Sequence, residues 1–215
     1  MAVMAIGLGT PVLAQTQSAR PAAGAARAAP LQGTLLVLGD SLSAEYGLTR
    51  GTGWVALMTQ RLQARQINLE VVNASISGET TAGGRTRLPK LLERHRPALV
   101  VIELGGNDAL RGLPLTATET NLRDMAAAAR QAGARTVILG MKMPPNYGRA
   151  YAQAFSDLYV RVASTEQASL VPFMLEAIAD RIDLFQSDRI HPSEQAQPLI
   201  LDTVWPVLAK AIQSR

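Results

Sequence analysis

Apolar residues occur along this chain in short unbroken runs, separated by longer amphipathic stretches. Leu35-Leu36-Val37-Leu38 is the first such run, and residues 99–104 and 136–140 carry similar ones. Apolar runs without alternation belong to strands covered on both faces, as in a parallel sheet. Weaker strand signals fall at 69–73 and 169–171. Helical patterns lie between them at 53–66, 81–94, 116–131 and 150–165, with a last one at about 194–212. Thr116-Ala117-Thr118-Glu119 has the form of a capping box, and Gly133 is placed to end that helix. Pro198 falls in or near the first turn of the last helix, and Pro206 is expected to kink it. This alternation predicts a three-layer, doubly wound α/β domain on a five-stranded parallel sheet with right-handed crossovers.

Three polar clusters each follow directly on a predicted strand. Gly39-Asp40-Ser41-Leu42-Ser43 follows the first, Asn73-Ala74-Ser75-Ile76-Ser77-Gly78-Glu79-Thr80 the second, and Gly105-Gly106-Asn107-Asp108 the third. Each alone reads as an ordinary turn, because Asn and Gly tolerate positive φ. In a parallel sheet all three meet at one edge, where open α/β sheets hold ligands.

A serine hydroxyl there needs an adjacent base to become a nucleophile. The chain has two histidines. His95 sits in Glu93-Arg94-His95-Arg96, a charged helix end, and reads as structural. His191, in Asp188-Arg189-Ile190-His191, remains as the base for Ser41. Asp188 is close enough in sequence to accept the imidazole N–H across a tight turn. The candidate oxyanion donors are the backbone N–H groups of Ser41 and Gly78 and the side-chain amide of Asn107. Asp40 and Asp108 are expected to hold local backbone, with no direct part in the chemistry.

These blocks, in this order, resemble the SGNH (GDSL) hydrolases, over the whole chain from about residue 34. The segment 73–80, Leu110-Arg111-Gly112-Leu113, Pro144-Pro145-Asn146-Tyr147-Gly148-Arg149, His191-Pro192 and Ala196-Gln197-Pro198 are similar to one branch, the bacterial periplasmic thioesterase I, lysophospholipase and arylesterase group. The resemblance implies a flavodoxin-like strand order 2-1-3-4-5. It carries over the catalytic roles of Ser41, Asp188 and His191, and the oxyanion roles of Ser41, Gly78 and Asn107. It implies neither a cofactor nor a metal. One position departs from the pattern: relatives carry a small residue, often Gly, near Glu45. Its carboxylate either acts on the imidazole or points into solvent, and solvent is the favoured reading.

Composition adds the setting. The length of 215 residues suits one domain, and 47% hydrophobic residues suffice for its core. The net charge is +4, but the arginines are scattered and form no nucleic-acid stripe. Residues 1–14 read as a signal peptide, apolar and closing on Val12-Leu13-Ala14, although a basic start is missing. Residues 15–32, rich in Ala, Pro, Gly and Arg, read as a flexible linker ahead of a domain at 33–215. The chain has no cysteine, which is compatible with export. No apolar run is long enough for a stable membrane span. The expected location is the periplasm or outside the cell.

Leu110, Met143, Pro145 and Tyr147 fall in the loops after the third and fourth strands and are candidates for an apolar substrate groove. The expected function is a serine esterase acting on aryl esters, acyl thioesters and lysophospholipids through an acyl-Ser41 intermediate. A carbohydrate O-deacetylase is the alternative, although only 4% of the chain is aromatic. A non-catalytic lipid-binding domain is the further one. No oligomer is called for, and the expected state is a monomer.

Overall fold

The computed structural model describes residues 1–3 and 31–213. The expected signal peptide and linker therefore fall almost wholly outside the described residues. The linker's end is an exception. Leu31 donates its N–H to Ile212 O at 3.0 Å and packs against the core.

Five strands form one parallel sheet: β1 (Gly33–Gly39), β2 (Leu69–Asn73), β3 (Leu99–Glu103), β4 (Arg135–Leu139) and β5 (Ser169–Val171). Their order is β2-β1-β3-β4-β5, as expected. The helices are α1 (Trp54–Ala64), α2 (Thr81–His95), the single short turn α3 (Gly106–Leu110), α4 (Leu115–Gln131), α5 (Arg149–Thr165) and α6 (Gln197–Gln213).

Side chains alternate across a pleated strand, so an all-apolar strand feeds two cores. Leu35 and Val37 of β1 join Leu99 and Val101 of β3 in a core under α1 and α6. Leu36 and Leu38 join Val100 and Ile102 in a second core under α2, α4 and α5. Trp54 and Trp205 belong to the first core, which accounts for both on packing grounds.

Two local readings are corrected. The helix with the expected capping box starts one residue earlier, at Leu115, with Pro114 as N-cap and no side-chain cap. Thr118 is turned inward, fully buried, with its hydroxyl on Pro114 O and Asp108, while Glu119 pairs with Arg161 of α5. Gly133 does end this helix: its N–H reaches Arg130 O while Ala134 N–H reaches back to Ala129 O. α6 carries Pro198 in its first turn, as expected, and Pro206 inside it.

The second correction concerns Glu45. It lies in the left-handed region, φ 59°, which explains why a small residue suits this position. Its carboxylate points neither to solvent nor to the imidazole. It accepts the N–H groups of Gly51 at 3.0 Å and Gly53 at 2.9 Å, just ahead of α1. Gln197 accepts the N–H of Trp54 at 3.0 Å, so α1, which has no side-chain cap of its own, is capped from two other segments. Glu45→Ala is expected to lower stability in urea unfolding by about 1 kcal/mol, as for loss of a helix cap. Its kcat should stay within about twofold; a larger loss would return Glu45 to the chemistry.

Candidate active site

β1 ends in a tight turn. Ser43 and Ala44 N–H groups bond Asp40 O at 3.2 and 2.9 Å, and Asp40 Oδ1 accepts Leu42 N–H at 3.0 Å. Ser41 sits on the outer side of this turn, partly exposed. Its Oγ lies 2.9 Å from His191 Nε2, across 150 residues of chain. His191 Nδ1 lies 2.6 Å from Asp188 Oδ2. Arg189, at φ 59°, makes the bend that lets residues 188 and 191 face each other. Asp188 Oδ1 also accepts the backbone N–H groups of Ile190 and His191 at 2.9 and 3.0 Å. The ring hydrogen bond first, and these N–H groups next, hold its carboxyl down at about 2.

The other oxyanion candidates converge on the same edge. Ile76 N–H bonds Gly39 O at 3.0 Å, and Asn73 Nδ2 bonds Ser43 O at 2.7 Å, tying the loop after β2 to the serine turn. Gly78 in that loop has φ 78°, a conformation that disfavours any side chain. Asn107, in α3, donates one amide hydrogen to Asp40 Oδ2 at 3.0 Å and keeps the other. Among the described residues, no acceptor engages the backbone N–H of Ser41 or of Gly78. The site thus places a hydroxyl, an imidazole and a carboxylate in one hydrogen-bonded chain beside backbone and amide N–H groups, an arrangement that can support acyl transfer.

Asp40 and Asp108 hold backbone as expected, but they are also more deeply placed than turns require. Asp108 is buried and accepts both the N–H and the hydroxyl of Thr81, at the start of α2. His95 closes the last turn of α2, away from this edge. Leu110 and Tyr147 are exposed at the loops after β3 and β4, whereas Met143 packs partly against the second core. Pro145 opens a short 3-10 turn, Pro145–Tyr147. Among the described residues, no group of three or more His, Asp or Glu side chains is arranged to hold a metal ion.

Four further residues serve the site without having been singled out. Tyr46 lies against the His191 ring, centroids 4.4 Å apart. Gln186 donates to Tyr46 O at 2.9 Å and to Pro192 O at 3.2 Å, pinning the histidine loop to the serine turn. Arg111 donates to Gly78 O at 2.9 Å. Glu103, on β3, lies wholly buried beneath the turn and accepts Ser43 Oγ at 2.8 Å and Asp40 N–H at 3.2 Å. The only sequence signal for Glu103 was a carboxylate inside an otherwise apolar strand.

Residues 37–198 match the family model described as GDSL-like lipase/acylhydrolase. The chain belongs to this family. Esterase TesA of Pseudomonas aeruginosa is 53% identical over 175 residues, covering 81% of this chain and 87% of that protein. Thioesterase 1/protease 1/lysophospholipase L1 of Escherichia coli K12 is 43% identical over 180 residues, 84% of this chain and 83% of the relative. A crystal structure of TesA superposes with a TM-score of 0.81 at 52% identity, covering 83% of this chain and all but 1% of its own. In this member of the GDSL-like family, Asp188→Asn is expected to lower kcat by on the order of 10³-fold or more, with KM little changed, because the imidazole loses its orienting acceptor. A loss under about tenfold in steady-state kinetics would remove Asp188 from that role.

Proposed function

We propose that this carboxylic ester hydrolase cleaves esters and thioesters of apolar acyl groups through a covalent acyl-Ser41 intermediate. The observation that carries this is the continuous chain Ser41 Oγ–His191 Nε2 and His191 Nδ1–Asp188 Oδ2, at 2.9 and 2.6 Å. Ser41 Oγ attacks the carbonyl carbon while His191 Nε2 takes its proton. The carbonyl oxygen gains charge and is met by the Ser41 and Gly78 N–H groups and the free hydrogen of the Asn107 amide. The intermediate collapses, and the alcohol or thiol leaves with the proton from His191. Water, activated by the same imidazole, then releases the acid and restores Ser41.

We assign Leu110, Met143, Pro145 and Tyr147, from the loops after β3 and β4, to an acyl-chain groove, where burial is worth about 0.8 kcal/mol per CH₂. The names esterase and thioesterase/lysophospholipase L1 of its relatives support that substrate range. The apolar character of residues 2–14 supports export, and the absence of a helix long and apolar enough to cross a membrane among the described residues is compatible with it. We also propose that the domain works as a monomer, since the whole site is built from one chain.

Ser41→Ala should abolish both p-nitrophenyl ester turnover and fluorophosphonate labelling; activity retained in that variant would sink the assignment. Asn107→Ala should cost about 10²–10³ in kcat if its amide meets the oxyanion. Across a series of p-nitrophenyl esters, kcat/KM should rise from acetyl to a plateau from butyryl upward. A clear preference for acetyl would favour an O-deacetylase.

A further inference from the structure

Glu103 is a carboxylic side chain wholly buried at the end of β3, and no ion pair to it is found among the described residues. The parallel register sets it opposite Gly39, one residue before Asp40. Its surroundings leave room for it: a Cβ on Gly39 would stand 2.8 Å from Glu103 Oε2 and 2.8 Å from Ser43 Oγ. Two donors, Asp40 N–H and Ser43 O–H, converge on Oε2 alone. Oε1 is fully buried and meets no donor among the described residues. Such an oxygen is costly as an acceptor and fits well as the site of a proton. The Asp40 carboxyl is its hydrogen-bonding neighbour, and Asp40 is itself buried. Asp40 already accepts Leu42 N–H on Oδ1 and the Asn107 amide on Oδ2.

We propose that Glu103 is a positioning residue that stays protonated in the working enzyme. Its carboxyl proton is shared with the neighbouring Asp40 carboxylate, and Asp40 in turn holds the Asn107 amide with its second hydrogen toward the oxyanion. This rests on the reading of Asn107 as an oxyanion donor. A protonated Glu103 also leaves a single negative charge on the Asp40–Glu103 pair, where a second would oppose the forming oxyanion.

The groups facing the pair agree with this. Burial first, and then the charge of Asp40, raise Glu103 well above the ordinary carboxyl range. Burial raises Asp40 to about 6, while its hydrogen bonds from Leu42, Glu103 and Asn107, and the charge of His191, pull it back. Asp40 is therefore the member that ionises first. Tyr159 of α5 donates to Leu104 O at 3.0 Å, and burial, then Glu103, Asp40 and Asp108, keep its phenol protonated. Among the described residues, the His191 imidazole, when protonated, is the basic group that acts on the pair.

The test uses Glu103→Gln and Glu103→Leu in the intact protein. Gln reproduces a protonated Glu: it is neutral, with an oxygen to accept and an NH₂ to donate. At neutral pH the infrared spectrum of the wild type should show the C=O stretch of a buried protonated carboxyl, absent from Glu103→Gln. Glu103→Gln should keep kcat within about threefold, while Glu103→Leu should lose roughly 10-fold or more in kcat with KM within about twofold, as for a weakened oxyanion donor. A band common to wild type and Glu103→Gln, or no band in either, overturns the proposal even if Glu103→Leu does not fold. So does Glu103→Leu with the kcat of Glu103→Gln. Fluorophosphonate labelling of the wild type is read separately: its failure would sink the catalytic reading, whereas the infrared band reports Glu103 without turnover.

Discussion

In the parallel ladder of β1 with β3, Gly39 lies opposite Glu103, while Val37 lies opposite Asn73 of β2. The ends of β1 and β3 are thus level, and β2 ends two residues lower, its loop continuing alongside β1 through Ala74 N–H on Val37 O and Ile76 N–H on Gly39 O. The three connections leaving that edge carry Ser41, Gly78 and Asn107. Parallel strands require crossovers that return the chain to the far edge, so residues distant in sequence meet only here. The His191 loop, beyond the last strand, is brought in by Gln186 and the stacked Tyr46.

Below that edge lies a layer of buried polar groups. Asp40, Glu103 and Asp108 are all nearly inaccessible, as are Ser43, Thr81 and Thr118. Burying carboxyl groups is expensive, and each is repaid by donors from a different connection. Asp40 joins the serine turn to α3 through Asn107. Asp108 joins α3 to the start of α2 through Thr81, and so fixes the exit of the Gly78 loop. Arg111 and Arg87 hold the same loop from outside, on Gly78 O and Ala74 O. Mobile loops would lose effective alignment of donors whose distances matter to tenths of an ångström; this layer removes that freedom.

Much of this was legible in the chain. The near-continuous apolar runs at β1 and β3 announced two-sided burial and hence a parallel sheet. The scarcity of histidine made the pairing of Ser41 with His191 nearly forced. The misread features share one cause: their meaning lies in a partner remote in sequence. Thr116 to Glu119 has the letters of a capping box, yet Thr118 serves Asp108 and Glu119 serves Arg161. Glu45 looked like a surface carboxylate because the donors it accepts from, the N–H groups ahead of α1, depend on a turn that the letters do not display. Glu103 was the most readable of those missed. A charged residue in a strand covered on both faces has nowhere to go but inward, and that conflict alone points to a designed environment.

The bond between Leu31 N and Ile212 O has a consequence for the path of the chain. Arg135, at the start of β4, also donates to Ala211 O, at 2.6 Å. Both ends of the domain therefore meet at the amino edge of the sheet, opposite Ser41. A short linker joining residues 31 and 212 would close the backbone into a ring there. Fresh termini cut elsewhere in the surface would yield circular permutants whose catalytic edge keeps all its strands, and an enzyme tethered to a surface at residue 31 or 212 would turn that edge outward.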